Sequence, residues 1–200
     1  MTIFLRNIIF FLLIVFVSAC STVKKPPDIV NATANDAKLI ALSSWQLRGR
    51  MAFKSENETV STNIRWIQSG EEFEFILSNV IGVTLLELNF KDGLATLNVD
   101  DKTYQGSDPE LLIWQVSQWQ IPIANMQRWV KGLSNQQEMA QRDERGLLRS
   151  IIPVTSQVDW QVDYTEYTQA SDVVLPRQLT ITKRQPLISI KFKVNEWVIE

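Results

Sequence analysis

Trp45-Gln46-Leu47-Arg48-Gly49-Arg50-Met51-Ala52-Phe53-Lys54 decides the fold. Trp45, Leu47, Gly49, Met51 and Phe53 alternate with Gln46, Arg48, Arg50 and Lys54. A period of two places one set of side chains in a core and the other in water, which is the pattern of a half-buried strand. The period persists downstream. Ile64 and Trp66 follow Thr62 against Asn63 and Arg65; Phe73, Phe75 and Leu77 oppose Glu72 and Glu74; Leu86, Leu88 and Phe90 oppose Glu87 and Asn89; Ala95, Leu97 and Val99 close the series. Turn residues separate these runs at Glu56-Asn57, Ser69-Gly70, Lys91-Asp92-Gly93 and Asp100-Asp101. Connections this short join antiparallel neighbours.

The middle of the chain changes character. Ser107-Asp108-Pro109 reads as a helix start, with proline near the first helical position, and Leu111, Leu112, Trp114 and Val116 follow. Pro122 opens a second short helix carrying Met126, Trp129 and Val130, and Gly132 is its C-cap. Strands resume at Leu147–Ile152, at Trp160, Val162 and Tyr164, at Leu179 and Ile181, and at Ile188, Ile190, Phe192 and Val194. Strands, a helical insertion and more strands predict a mainly β protein: a single curved antiparallel sheet with short helices on its concave face.

Working back toward the amino terminus, Asn35-Asp36 reads as the start of a short helix carrying Leu39, Ile40 and Leu42. Residues 21–35, with Lys24, Lys25, Pro26 and Pro27, read as a tether. Before it lies a leader: Arg6, a charge-free stretch from Asn7 to Ala19, then Val17-Ser18-Ala19-Cys20. A charged start, an apolar run and small residues before a cut site describe a secretory signal. The fully apolar part, Ile8–Val17, is short for a membrane span of about 20 residues. The sole cysteine, placed after small residues, resembles a bacterial lipobox. That resemblance implies cleavage before Cys20 and triacylation there, with residues 1–19 as signal peptide, 20–35 as lipidated tether and 36–200 as one domain. Stable anchoring takes two acyl chains or more, so a triacylated Cys20 holds the protein on a membrane. Ser21, where an aspartate generally marks retention at the inner membrane, favours the outer membrane with the domain facing the periplasm.

Most chemistry is excluded by composition. The chain has 20 basic and 22 acidic residues and no histidine, and loss of Arg6 moves the net charge from −2 to −3. Such a balance does not suit nucleic acid. Without histidine or a free thiol, the nucleophilic triads and common zinc sets cannot form. The acidic pairs Glu71-Glu72, Asp100-Asp101 and Asp143-Glu144 fall in turns or at strand edges. We therefore expect no enzyme, no metal and no cofactor. Seven tryptophans are conspicuous. They suit a filled aromatic core or an apolar cavity, and sequence leaves the two open. The candidate inward face comprises Leu47, Phe53, Ile64, Trp66, Phe75, Leu77, Leu86 and Leu88, all on the apolar parity of their strands. One turn breaks the rule that turns are polar. Between Asn79 and Gly82 sit Val80 and Ile81. Either this loop folds back to bury Ile81, or it is an exposed apolar finger for lipid or a partner.

Taken in order, these pieces resemble a family, the outer-membrane lipoprotein receptor LolB of Gram-negative bacteria. The likeness rests on the lipobox, Trp45-Gln46-Leu47-Arg48-Gly49-Arg50, Trp66, Asn79-Val80-Ile81-Gly82, Pro122, Trp129-Val130-Lys131-Gly132-Leu133, Trp160-Gln161-Val162-Asp163-Tyr164, Leu175-Pro176 and Trp197. It implies an open, incomplete β-barrel whose apolar cavity is lidded by helices and lined by the inward face above. It implies a monomer that takes triacylated lipoproteins from the soluble periplasmic carrier LolA and inserts them among outer-membrane phospholipids. The membrane-targeting loop would be Val80, Ile81 and Gly82, with Ile81 as the exposed apolar residue. The family's usual Pro-Leu-Gly is Val80-Ile81-Gly82 here, so the stiffening proline is missing. The competing reading is a non-catalytic envelope scaffold lipoprotein with a filled β core.

Overall fold

The alternation that begins at Trp45 becomes one antiparallel sheet of eleven strands. The structure is a computed structural model that describes residues 24–153 and 160–199. Helix α1 (Ala32–Ala41) comes first. Strands β1 (Ser44–Lys54), β2 (Thr59–Ser69), β3 (Glu72–Ser78), β4 (Thr84–Lys91), β5 (Leu94–Val99) and β6 (Lys102–Gly106) follow as a meander. Helices α2 (Pro109–Ser117) and α3 (Ile123–Trp129) come next, then β7 (Glu138–Arg142), β8 (Leu148–Pro153), β9 (Trp160–Ala170), β10 (Val173–Lys183) and β11 (Ile188–Ile199).

The sheet order is β6-β5-β4-β3-β2-β1-β11-β10-β9-β8-β7. The first and last strands therefore meet in the middle, and the two free edges are β6 and β7. These edges are joined in sequence by α2 and α3. The helical segment must cross one face of the sheet to get from edge to edge. Leu112, Ile113, Met126 and Trp129 from the helices lie in the same buried cluster as Leu47, Trp66, Phe75 and Leu88 from the strands. The expected open antiparallel sheet with helices on its inner face is what the chain forms.

Local chemistry sets the helix ends. The Asp108 carboxylate accepts from the N–H groups of Glu110 and Leu111 at 2.9 and 3.1 Å, with Pro109 at the first position. This satisfies donors that a helix start leaves orphaned. After α3, Gly132 takes φ +80°, its N–H donates to the Trp129 carbonyl, and the Leu133 N–H donates to the Arg128 carbonyl. That pair of bonds is a Schellman stop, for which glycine avoids the strain of a left-handed residue.

Three features differ from the sequence reading. Helix α1 starts earlier than Asn35-Asp36: the Asn31 side chain caps it by accepting from the Ala34 N–H, so its first turn lies within the stretch read as tether. Asn35 instead exchanges two hydrogen bonds with the Val174 backbone, and Ile40 faces solvent. The edge strands β6 and β7 were not evident, because short strands with little buried on either face carry no clear alternation. The Leu175-Pro176 segment, not read as strand, lies inside β10, which with β9 runs well beyond the alternating residues.

Gly49 has a specific reason to be glycine. The register shifts between Arg48 and Gly49, which pair with Glu196 and Val194 and leave Asn195 bulged. A Cβ on Gly49 would collide with the Lys193 carbonyl oxygen and lie 2.9 Å from the Val194 Cα. Both obstacles are backbone, so no rotamer change relieves them. Gly49→Ala is expected to cost about 1–3 kcal/mol or more, as overpacking does. Gly106→Ala, whose Cβ would meet only the Leu112 Cδ1 at 3.7 Å, is the control with little effect. Urea unfolding of both variants checks this; equal stability of the two would remove the close approach as the reason for Gly49.

Candidate functional site

All eight residues assigned to the inward face share it. Leu47, Trp66, Phe75, Leu77 and Leu88 are fully buried, and Phe53, Ile64 and Leu86 are 2–3% exposed. Register explains why they converge. Leu47 pairs with Trp66, Trp66 with Phe75, Phe75 with Leu88 and Leu88 with Leu97, so one row crosses five strands. A second row runs Ile64, Leu77, Leu86, Val99. Trp66 meets Phe75 edge-on at 5.3 Å and Trp45 at 5.3 Å. Of the seven tryptophans, Trp45, Trp66 and Trp129 are buried, whereas Trp114 is 44% exposed.

Helix α3, one of the two that cover this face, is held by polar bonds to β7 and β9. Glu138, at the start of β7, accepts from Trp129 Nε1 at 3.0 Å, from Arg128 at 3.2 Å and from the Asn135 N–H at 2.8 Å. Tyr164 on β9 donates its hydroxyl to the Trp129 carbonyl at 2.9 Å. Burial pushes the Tyr164 phenol well above its ordinary range, so it stays a neutral donor. At the other end of the segment, Trp119 stacks on Phe53 at 4.8 Å and donates to Glu58 at 2.8 Å.

A cleft of about 340 Å³ opens beside the helices, lined by Leu111, Trp114, Ile121, Pro122 and Trp160 with Asp108, Glu110 and Gln120. Glu110 accepts from the Ala124 N–H at 2.9 Å, and burial raises its carboxyl above the usual carboxylate range. Lys183 donates to Gln120 at 2.8 Å and sits 5.8 Å over the Trp160 ring. None of these residues was singled out as a site in the sequence. The available signal was Leu111 and Trp114, three apart on one helix face and both half-exposed.

The apolar loop is settled as to exposure. Val80 is 77% exposed, Ile81 81% and Val83 54%. The loop is nonetheless ordered by Asn79. Its side-chain oxygen accepts from the N–H groups of Ile81 at 3.1 Å and Val83 at 2.9 Å, while its own N–H donates to the Val83 carbonyl. Asn63 Nδ2 on β2 donates to the Asn79 carbonyl at 2.9 Å, and Gly82 supplies φ +87°. An asparagine clasp thus braces a loop that has no proline at its tip. Asn79→Ala should lower stability by no more than about 1 kcal/mol, the scale of exposed side-chain hydrogen bonds. It should loosen the tip, read as faster amide exchange at Ile81 and Val83; unchanged exchange would mean that the clasp does not order the loop. Cys20 lies outside the described residues.

The arrangement is that of an open antiparallel sheet with an apolar inner face, a helical cover and an exposed apolar loop braced by hydrogen bonds. A profile of the outer membrane lipoprotein LolB family matches residues 43–197, and the chain belongs to that family. It is 34% identical over 166 residues to the outer-membrane lipoprotein LolB of Shewanella denitrificans, covering 82% of this chain and 81% of the relative. It is 32% identical over 187 residues to that of Aeromonas hydrophila, covering 93% of each. Among solved structures, a LolA superfamily protein from Nitrosomonas europaea shares the fold at TM-score 0.50 and 7% identity, over 86% of this chain and 94% of that one.

Proposed function

We propose that this chain is an outer-membrane-anchored receptor that accepts triacylated lipoproteins from the periplasmic carrier LolA and inserts them into the outer membrane. Family membership supports the outer-membrane lipoprotein role. The observation that carries the delivery step is Ile81, 81% exposed on a loop locked by Asn79. A large apolar side chain held rigidly in water gains when it enters a bilayer interface.

Acyl chains would occupy the inner face formed by Leu47, Phe53, Ile64, Trp66, Phe75, Leu77, Leu86 and Leu88. They would reach it from the cleft at Trp114 and Trp160 as α2 and α3 yield. Each methylene exposed to water costs about 0.8 kcal/mol, so acyl chains pass from one apolar site to the next without an energy source. Cys20 supplies the anchor and takes no part in acceptance. No helix among the described residues is long and apolar enough to cross a membrane.

The deciding experiment is binding of bis-ANS to the mature chain and its displacement by acylated lipoprotein, with Cys20→Ser used to keep the protein in solution. Saturable binding and displacement are expected. A chain that binds no acylated cargo would leave the scaffold reading in place.

A further inference from the structure

The outer face of the central strands concentrates positive charge on a chain that is acidic overall. Arg50 on β1 pairs directly with Lys193 on β11, Ala52 pairs with Lys191, and Lys54 with Ser189. Arg50, Lys54, Lys191 and Lys193 are all exposed, on the side opposite the buried parity of these strands. None of the four takes part in an ion pair or side-chain hydrogen bond among the described residues. Neighbouring acids are otherwise engaged. Glu196 faces Arg48 at 3.7 Å, Glu74 takes Arg65 at 2.8 Å, and Glu166 takes Arg177 at 3.2 Å. Asp163 stands two strands from Lys191, across Thr180, and accepts from Gln161. Like charges directly opposite on neighbouring strands destabilise a sheet, so this cluster is costly to the fold.

Its position suggests what the cost serves. The row through Lys193 and Arg50 continues to Asn63 on β2 and Ser78 on β3. Asn63 is the residue that holds the Asn79 carbonyl at the base of the apolar loop. At about 4.8 Å per strand, Arg50 lies roughly 10 Å from the loop's root. Lys54 and the loop also leave the sheet at the same end, since Lys54 and Ser78 end their strands there. An apolar tip beside a cationic face is the pattern of a protein that docks on an anionic bilayer surface.

We propose that Arg50, Lys54, Lys191 and Lys193 form a headgroup-binding surface for anionic phospholipid, engaged when the Ile81 loop enters the bilayer. This rests on the delivery step proposed above. The phosphate oxygens of the lipid take the place of the carboxylates these cations lack.

The test uses the full mature chain with Cys20→Ser, so that the anchor does not dominate binding. It compares the parent with a Lys54→Gln, Lys191→Gln, Lys193→Gln variant on phosphatidylcholine vesicles and on vesicles containing about one-third phosphatidylglycerol. Each charge is expected to change partition onto anionic vesicles about fivefold, hence roughly a hundredfold for three. That difference should vanish at high salt and be absent on phosphatidylcholine. The variant should melt at or above the parent temperature, because repulsion between strands is relieved. Ile81→Glu should weaken binding to both vesicle types. Equal partition of parent and triple variant on anionic vesicles overturns the proposal. So does a variant that keeps vesicle binding but loses lipoprotein transfer from the carrier in the absence of vesicles, since the face would then meet an acidic protein. Acceptance of lipoprotein by the Cys20→Ser chain in solution is read separately, and its failure would strike the receptor reading and not the charge dependence.

Discussion

Ile81→Glu is expected to leave folding and acceptance of cargo intact while lowering delivery of a transferred lipoprotein into liposomes by roughly tenfold to a hundredfold. The range follows from the value of moving an isoleucine side chain out of water, about 1.5–3 kcal/mol. Folding should be insensitive because Ile81 is 81% exposed and its backbone is held by Asn79 whatever the side chain is. Surface substitutions of this kind change stability by about 0.5 kcal/mol or less. A buried isoleucine would behave differently, with truncation costing about 2–5 kcal/mol. Two measurements are needed, thermal unfolding and partition of a transferred lipoprotein into liposomes. Normal insertion by a stable variant would remove the loop from the mechanism.

Phe75→Glu should abolish the folded state. Phe75 is fully buried at the centre of the inner row, between Trp66 and Leu88. Removing a buried phenylalanine side chain costs about 3–5 kcal/mol, and an unpaired carboxylate in its place adds a further desolvation cost. Together these approach the whole stability of a domain, about 5–15 kcal/mol. The expected result is loss of the cooperative unfolding transition, seen by circular dichroism. The softer Phe75→Leu keeps the position apolar and should fold, with stability reduced and affinity for acylated cargo altered. Phe75→Glu melting like the parent would contradict the packing. A folded Phe75→Leu with unchanged cargo affinity would place the acyl chains elsewhere.

The two variants mark different kinds of legibility. Phe75 could be placed from sequence because it alternates with Glu72, Glu74 and Ser78, and period two fixes the face a side chain takes. The same logic accounts for the burial of all eight residues on the apolar parity of their strands. Ile81 has no such pattern, since a turn imposes no period, and only the family resemblance pointed to its exposure. Only the hydrogen bonds of Asn79 and Asn63, the latter sixteen residues away, show that the loop stands out from the sheet. The cleft at Trp114 and Trp160 was hidden for a similar reason. Its walls come from a helix, a linker and a distant strand, and no local pattern joins them.

The cationic face shows the same division. Arg50 and Lys54 are visibly polar positions of one strand, and Lys191 and Lys193 of another far along the chain. That they form one unpartnered cluster depends on β1 pairing with β11. By itself the sequence determined what is local: strand parity, the caps at Asp108 and Gly132, and the turns. These rest on backbone geometry and on neighbours a few residues apart. Tertiary structure alone decided the edge strands β6 and β7, the bulge that requires Gly49, and the hydrogen bonds that hold Ile81 out in water. Each of those depends on which distant segments pair, and pairing is set by the packing of the whole sheet, which no short window of sequence contains.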